Sequence, residues 1–138
     1  MFTDSEILSV VEMLKHENLD VRTVTLGLNL LDCASDDIGR FTENIYTRIT
    51  TVARDLVRIC DEVGDKYGIP VVNKRISVSP MAVAGAPFNA EQMLEVAKAL
   101  NQAATDTGVD FIGGFSALVE KGMAKGDRAL IDALPQAL

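Results

Sequence analysis

VRTVTLGLNL, residues 21–30, reads as a strand with two unlike faces. Side chains of a strand alternate with period two, which puts Val24, Leu26, Leu28 and Leu30 on one side. Thr23, Thr25, Gly27 and Asn29 fall on the other. The arrangement recurs in VVNKRISV, residues 71–78, where Val72, Ile76 and Val78 oppose Asn73, Arg75 and Ser77. A third, shorter run, DFIGGFS at residues 110–116, ends in Gly113, Gly114 and Ser116. Helical patterns separate the three runs, which predicts right-handed crossovers and an α/β core with parallel strands. Parallel strands are normally apolar on both faces. A polar second face therefore meets water or lines a polar cavity.

Working outward, the first helix is expected over residues 5–15, capped by Thr3 or Asp4, with Ile7, Leu8, Val11 and Leu14 as its apolar stripe. Residues 18–20 break it. After the first strand, residues 32–40 (DCASDDIGR) form a polar loop. One long helix is predicted over residues 37–66, because Phe41, Ile45, Ile49, Val52, Leu56, Ile59 and Val63 recur every three or four positions. Tyr67-Gly68 ends it. Residues 79–88 (SPMAVAGAPF) read as irregular. Asn89 and Gln92 have the spacing of a capping box for a helix whose inner face is Met93, Val96, Ala97, Leu100 and Ala104, and Gly108 stops it. Residues 117–138 read as helical, with a break around 122–126.

The 138 residues suit a single α/β domain with a real core. The net charge, 13 − 20 = −7, argues against nucleic acid or an anionic membrane surface as partner. No apolar run reaches the length of a membrane span. Cys33 and Cys60, without CxxC spacing, suit a reducing cytoplasm, and the chain is read as cytoplasmic. Three strands leave two open sheet edges, and residues 133–138 (ALPQAL) stay apolar. The chain is therefore expected to be the amino-terminal portion of a larger protein, or a subunit that completes its sheet by association.

Three segments carry a resemblance. RTVTLGLNLLDC (22–33), IPVVNKRISVSP (69–80) and VDFIGGFSALVEKG (109–122) resemble the amino-terminal part of a bacterial and archaeal family labelled the "PFL family", for pyruvate formate-lyase-like, which has no established activity. The resemblance implies the first part of a barrel like that of glycyl radical enzymes, in longer, homodimeric proteins. It does not imply radical chemistry. A radical-bearing glycine has no counterpart in this sequence, and Cys33 matches the barrel cysteine only loosely in position. A barrel would turn the polar strand faces inward.

Ligands of parallel sheets and barrels bind at the carboxyl ends of the strands. Asn73, Arg75 and Ser77 share a polar face suited to a carboxylate or phosphate. The competing reading is that Arg75 pairs with a carboxylate in a structural network. Lys74 points the other way and snorkels between helices. Gly113, Gly114 and Ser116 would let backbone N–H groups approach an anion if a helix starts there, or would only make a tight turn. Asp32, Asp36 and Asp37 lack the spacing of a calcium loop, and Asp36 or Asp37 fits better as a helix cap, so no metal is expected. Cys33 beside Asp32 is a possible nucleophile, but the single histidine, His16, lies at the end of the first helix, and a small core residue is the simpler role. Cys60, Met13, Met81, Met93 and Met123 read as packing residues. Walker, GxGxxG, GxSxG and zinc patterns are absent, and no cofactor is indicated.

Two functions remain. One is an enzyme, or part of one, holding a small anionic metabolite at the strand carboxyl ends. The other is a non-catalytic dimeric binding or assembly module in which Arg75 is paired within the protein.

Overall fold

A computed structural model describes residues 3–17 and 20–137, without the side chains of Leu14 and Glu17. The element order is α1 (Asp4–Glu12) running into a π turn (Met13–Glu17), β1 (Val21–Leu28), a 3-10 turn (Leu31–Cys33), α2 (Ile38–Val52) and α3 (Leu56–Tyr67). Then follow β2 (Val71–Val78), α4 (Met81–Ala84), α5 (Ala90–Thr107), β3 (Phe111–Gly113) and α6 (Lys125–Ala137). The strands form one parallel sheet in the order β1-β2-β3. The α/β class with strands and helices alternating is as the sequence predicts. The expected break at residues 18–20 falls mostly on Asn18 and Leu19, and the Leu14 side chain belongs to the expected stripe of α1. These positions lie outside the described residues, as does Leu138.

The core forms where α2 and α5 cover one face of the sheet. Phe41, Ile45 and Ile49 of α2 are fully buried, and Met93, Val96 and Leu100 of α5 meet them with Leu30, Ile76 and Val78 from the strand side. Phe41 and Phe88 pack as a tilted aromatic pair, ring centroids 5.1 Å apart. Tyr46 ties α2 to α5 by donating its hydroxyl to Asp106 over 2.6 Å. The capping box of α5 is present in both directions, with Asn89 accepting from the Gln92 N–H at 2.9 Å and Gln92 accepting from the Asn89 N–H at 3.1 Å. Thr3, rather than Asp4, caps α1. Gly68 and Gly108 close α3 and α5 in the left-handed conformation, at φ 68° and 71°.

Several expectations fail, for physical reasons. The single helix over 37–66 is two helices. A straight helix of 30 residues would be roughly 45 Å long, against roughly 27 Å for an eight-residue strand. The bend falls at Ala53, after a β-branched run in which the Thr50 hydroxyl donates back to the Tyr46 carbonyl at 2.9 Å. Around the bend most of the apolar stripe turns away from the core, although Leu56 still packs against it. Val52, Ile59 and Val63 are exposed, and α1 buries none of its side chains. Met123, expected to pack, is also exposed. The stretch read as irregular over 79–88 contains α4, with Met81, Ala82 and Ala84 buried. Strand pairing stops at Gly113, and residues 117–124 are irregular rather than helical. Asp127 organises that passage from within α6, accepting from the N–H groups of Leu118 at 3.3 Å and Ala124 at 2.8 Å.

Candidate functional site

The sheet face opposite the helices is open, and three rows of side chains cross it. Thr23 and Asn73 are register partners in the first row; Thr25, Arg75 and Phe111 make the second; Gly27, Ser77 and Gly113 make the third. With strands about 4.8 Å apart, the third row is a floor about 10 Å wide carrying nothing larger than one hydroxymethyl group. A Cβ added at Gly27 meets no atom within 4 Å, while one at Gly113 meets the Phe111 ring at 3.1 Å. The exposed Phe111 ring therefore leans over that end of the floor.

Arg75 lies exposed in the middle row. Its Nη2 donates to the Thr23 hydroxyl at 2.7 Å. Among the described residues no carboxylate lies within ion-pair distance of it, so the structural network weighed for it is not formed with them. Asn73 donates its side-chain amide to the Arg22 carbonyl at 2.9 Å, which straps β2 to β1. Lys74, one residue on, turns to the helix side and pairs with Asp61 at 3.0 Å. The Asp61 hydrogen bond holds the Lys74 ammonium above the usual lysine range.

At the carboxyl end of the sheet the segments that leave the strands are laced together. The Ser79 hydroxyl donates to Asn29 at 3.0 Å and accepts from the Leu30 N–H at 3.1 Å. The segment after β3 gives carbonyl oxygens to α4, with Gly114 accepting from the Met81 N–H at 2.9 Å and Ser116 from the Ala82 N–H at 3.2 Å. Gly114 has φ 130°, and a Cβ there would run into Val78, whose carbonyl oxygen would lie 2.6 Å away. Glycine at 114 thus answers a close backbone approach. No helix starts at Gly113–Ser116, so the helix N-terminus expected there is absent.

Asp32 and Cys33 stand apart from this face. Cys33 belongs to the core on the helix-covered side. Its Sγ donates to the neighbouring Asp32 carboxylate at 3.8 Å, and Arg48 of α2 approaches the other oxygen of that carboxylate at 3.8 Å. A groove of about 530 Å³ opens here, lined also by Glu43, Asn44 and Thr47. Burial first, then the Asp32 charge, pushes the Cys33 thiol up against the opposing charge of Arg48. A raised pKa disfavours the thiolate that a nucleophile needs. Asp37 caps α2, accepting from the Arg40 N–H at 2.7 Å. Among the described residues no group of three or more His, Cys, Asp or Glu side chains is placed to hold a metal ion. None of the helices described is long and apolar enough to cross a membrane.

The structure thus brings Asn73, Arg75, Ser77 and Gly113 onto one face. It sets Gly114 and Ser116 at its end, and Asp32 and Cys33 behind it. Sequence reasoning passed over Phe111 and Arg48. Period two from Gly113 places Phe111 on the same face, so that signal was present; nothing in the sequence joins Arg48 to Asp32.

Fold and face define an α/β protein built on a parallel sheet with one helix-covered apolar side and one bare polar side. The chain belongs to the family described as "Uncharacterised ACR (DUF711)", whose model matches residues 12–138. It is 63% identical over all 138 residues to a "UPF0210 protein" of Oleidesulfovibrio alaskensis, and 62% identical to one of Desulfovibrio desulfuricans, covering 30% of each relative. A "UPF0210 protein" of Methanococcoides burtonii is 53% identical over 133 residues, 96% of this chain and 29% of the relative. The chain therefore spans about a third of the length of the curated relatives it matches.

Proposed function

We propose that the polar sheet face is one wall of a binding site for a small organic anion, a carboxylate or phosphate. Arg75 grips the anion together with the Thr23 and Thr25 hydroxyls. The rest of the molecule lies on the Gly27–Ser77–Gly113 floor beside the Phe111 ring. The observation that carries this reading is an exposed guanidinium without a carboxylate partner among the described residues, set beside a floor whose one side chain is the Ser77 hydroxymethyl group. An arginine left with free donors is suited to bidentate contacts with such anions. In this reading the sheet is the opening segment of a barrel of the glycyl-radical-enzyme kind, and the rest of a longer polypeptide closes the cavity. The role assigned to these residues is binding, because the raised Cys33 thiol lies behind the face rather than on it.

A panel of small carboxylates and phosphates, tested by NMR chemical-shift mapping and thermal shift on this chain and on Arg75→Gln, checks the proposal. Binding with Kd of order millimolar, with shifts clustered on Thr25, Ser77 and Gly113 and lost in the folded variant, supports it. A panel without binding, or binding unchanged in Arg75→Gln, overturns it.

A further inference from the structure

Phe111 places a large apolar ring on the polar face, beside Arg75 in the same row. The ring is 56% exposed and takes no part in the core cluster, whereas Ile112 and Phe115 pack against that cluster. Among the described residues no second ring and no cation lies on it. Arg75 leans the other way, toward Thr23 of β1, so its guanidinium is not stacked on the ring. Gly113 is what lets the ring lie low, since a Cβ there would come within 3.1 Å of it. Neither Gly113 nor Gly27 has a positive φ, so the backbone itself asks for glycine at neither position. Glycine inside a strand weakens it and often marks a place that something else approaches closely. Here the two glycines keep a flat surface open beside a free aromatic ring.

We propose that Phe111 is the specificity-determining residue of this face, and that the anion it selects is an aromatic carboxylate. The inference rests on the anion site proposed above and names its ligand class. The carboxylate meets Arg75, and the ring lies over Gly27, Ser77 and Gly113 with Phe111 at its edge. Arg75 is the single cation of the three rows. One guanidinium balances the charge of a carboxylate, whereas a phosphate monoester carries about −1.5 to −2 at neutral pH. One row separates Arg75 from the floor, about 7 Å along the strand, a span that a single carboxylate-bearing ring bridges. A strand surface without bulky side chains makes more contacts with a planar ring than with a puckered or branched body. Phe111 then adds the offset or edge-to-face contact that aromatic rings prefer. Recognition is carried by Arg75 and Phe111 together, and the small residues provide the space between them.

Titration of this chain with benzoate and with cyclohexanecarboxylate, acids of similar size that differ in planarity, followed by NMR, tests it. Benzoate should bind about three- to tenfold tighter, the preference that one aromatic pair supplies. It should also give ring-current shifts at Gly27 and Gly113 that cyclohexanecarboxylate does not. In Phe111→Leu the two affinities should become equal. Should that variant not fold, cross-relaxation between the benzoate and Phe111 ring protons in the parent chain decides, and its absence overturns the inference. A preference that persists in folded Phe111→Leu overturns it too. Cyclohexanecarboxylate binding at least as tightly as benzoate, with both lost in Arg75→Gln, overturns the aromatic selectivity and leaves the anion site standing. Neither acid binding while a phosphate does overturns the ligand class alone, and no binding by any anion of the panel overturns the site beneath it as well.

Discussion

Gly27→Val separates stability from binding on the polar face. The Cβ of the new side chain has no atom within 4 Å, and Gly27 does not need a positive φ. Glycine in a strand costs roughly 0.5–1 kcal/mol relative to alanine, and valine favours strands further. The variant should therefore be more stable by about 1 kcal/mol, which for a domain of this size raises Tm by about 3–5 °C. Valine there also stands on the floor where the bound molecule lies. With Kd of about 5 mM, 50 mM ligand stabilises the parent chain by RT ln 11, about 1.4 kcal/mol. A tenfold weaker site gives RT ln 2, about 0.4 kcal/mol. Scanning calorimetry with and without ligand should thus show a higher Tm and a ligand-induced shift cut to about a third. A stabilised variant with the full ligand shift would refute the placement of the ligand. A destabilised variant would refute the openness of the face.

The other predictions concern the scaffold. Gly126→Ala should destabilise by about 1–3 kcal/mol in urea titrations, although alanine is the better helix former by about 1 kcal/mol. Its Cβ would collide with the Ala82 carbonyl oxygen and lie 3.0 Å from the Ala86 Cα, both backbone atoms; unchanged stability would mean that α4 yields easily. Tyr46→Phe should lose stability in a pH-dependent way. The Tyr46 hydroxyl, and then the Gln102 amide, hold the Asp106 carboxyl below its ordinary value. A depressed carboxyl contributes stability that is present above its unfolded pKa of about 4 and is lost as pH falls through the folded value. The gap between parent and variant should be full at pH 7 and close on acidification, which denaturation at a series of pH values measures. Cys33 should react with Ellman's reagent at pH 7.5 much more slowly in the folded chain than in urea, since burial and Asp32 both disfavour its thiolate. Equal rates would show the thiol to be open.

What could be read from the sequence was what local periodicity encodes. Period two in residues 21–30 and 71–78 gave two unlike strand faces, and the Asn89–Gln92 and Gly108 signals gave α5 its ends. In each, the residues that decide the outcome lie within a few positions of one another. The failures come from contacts distant in sequence. Ile59 and Val63 continue the stripe of α2 without a break in pattern, yet α3 turns at Ala53 and carries them out of the core. Gly114 resembles an anion-binding turn until its approach to Val78, 36 residues earlier, supplies the reason for a glycine. The site divides in the same way. The sequence by itself determined that Asn73, Arg75 and Ser77 share a face, because strand geometry allows nothing else. Tertiary structure alone decided that Thr25 and Phe111 flank Arg75, that Gly27, Ser77 and Gly113 line up as one floor, and that Cys33 lies behind it. Those facts depend on strand order and register, which are set by the packing of α2 and α5 on the other side of the sheet.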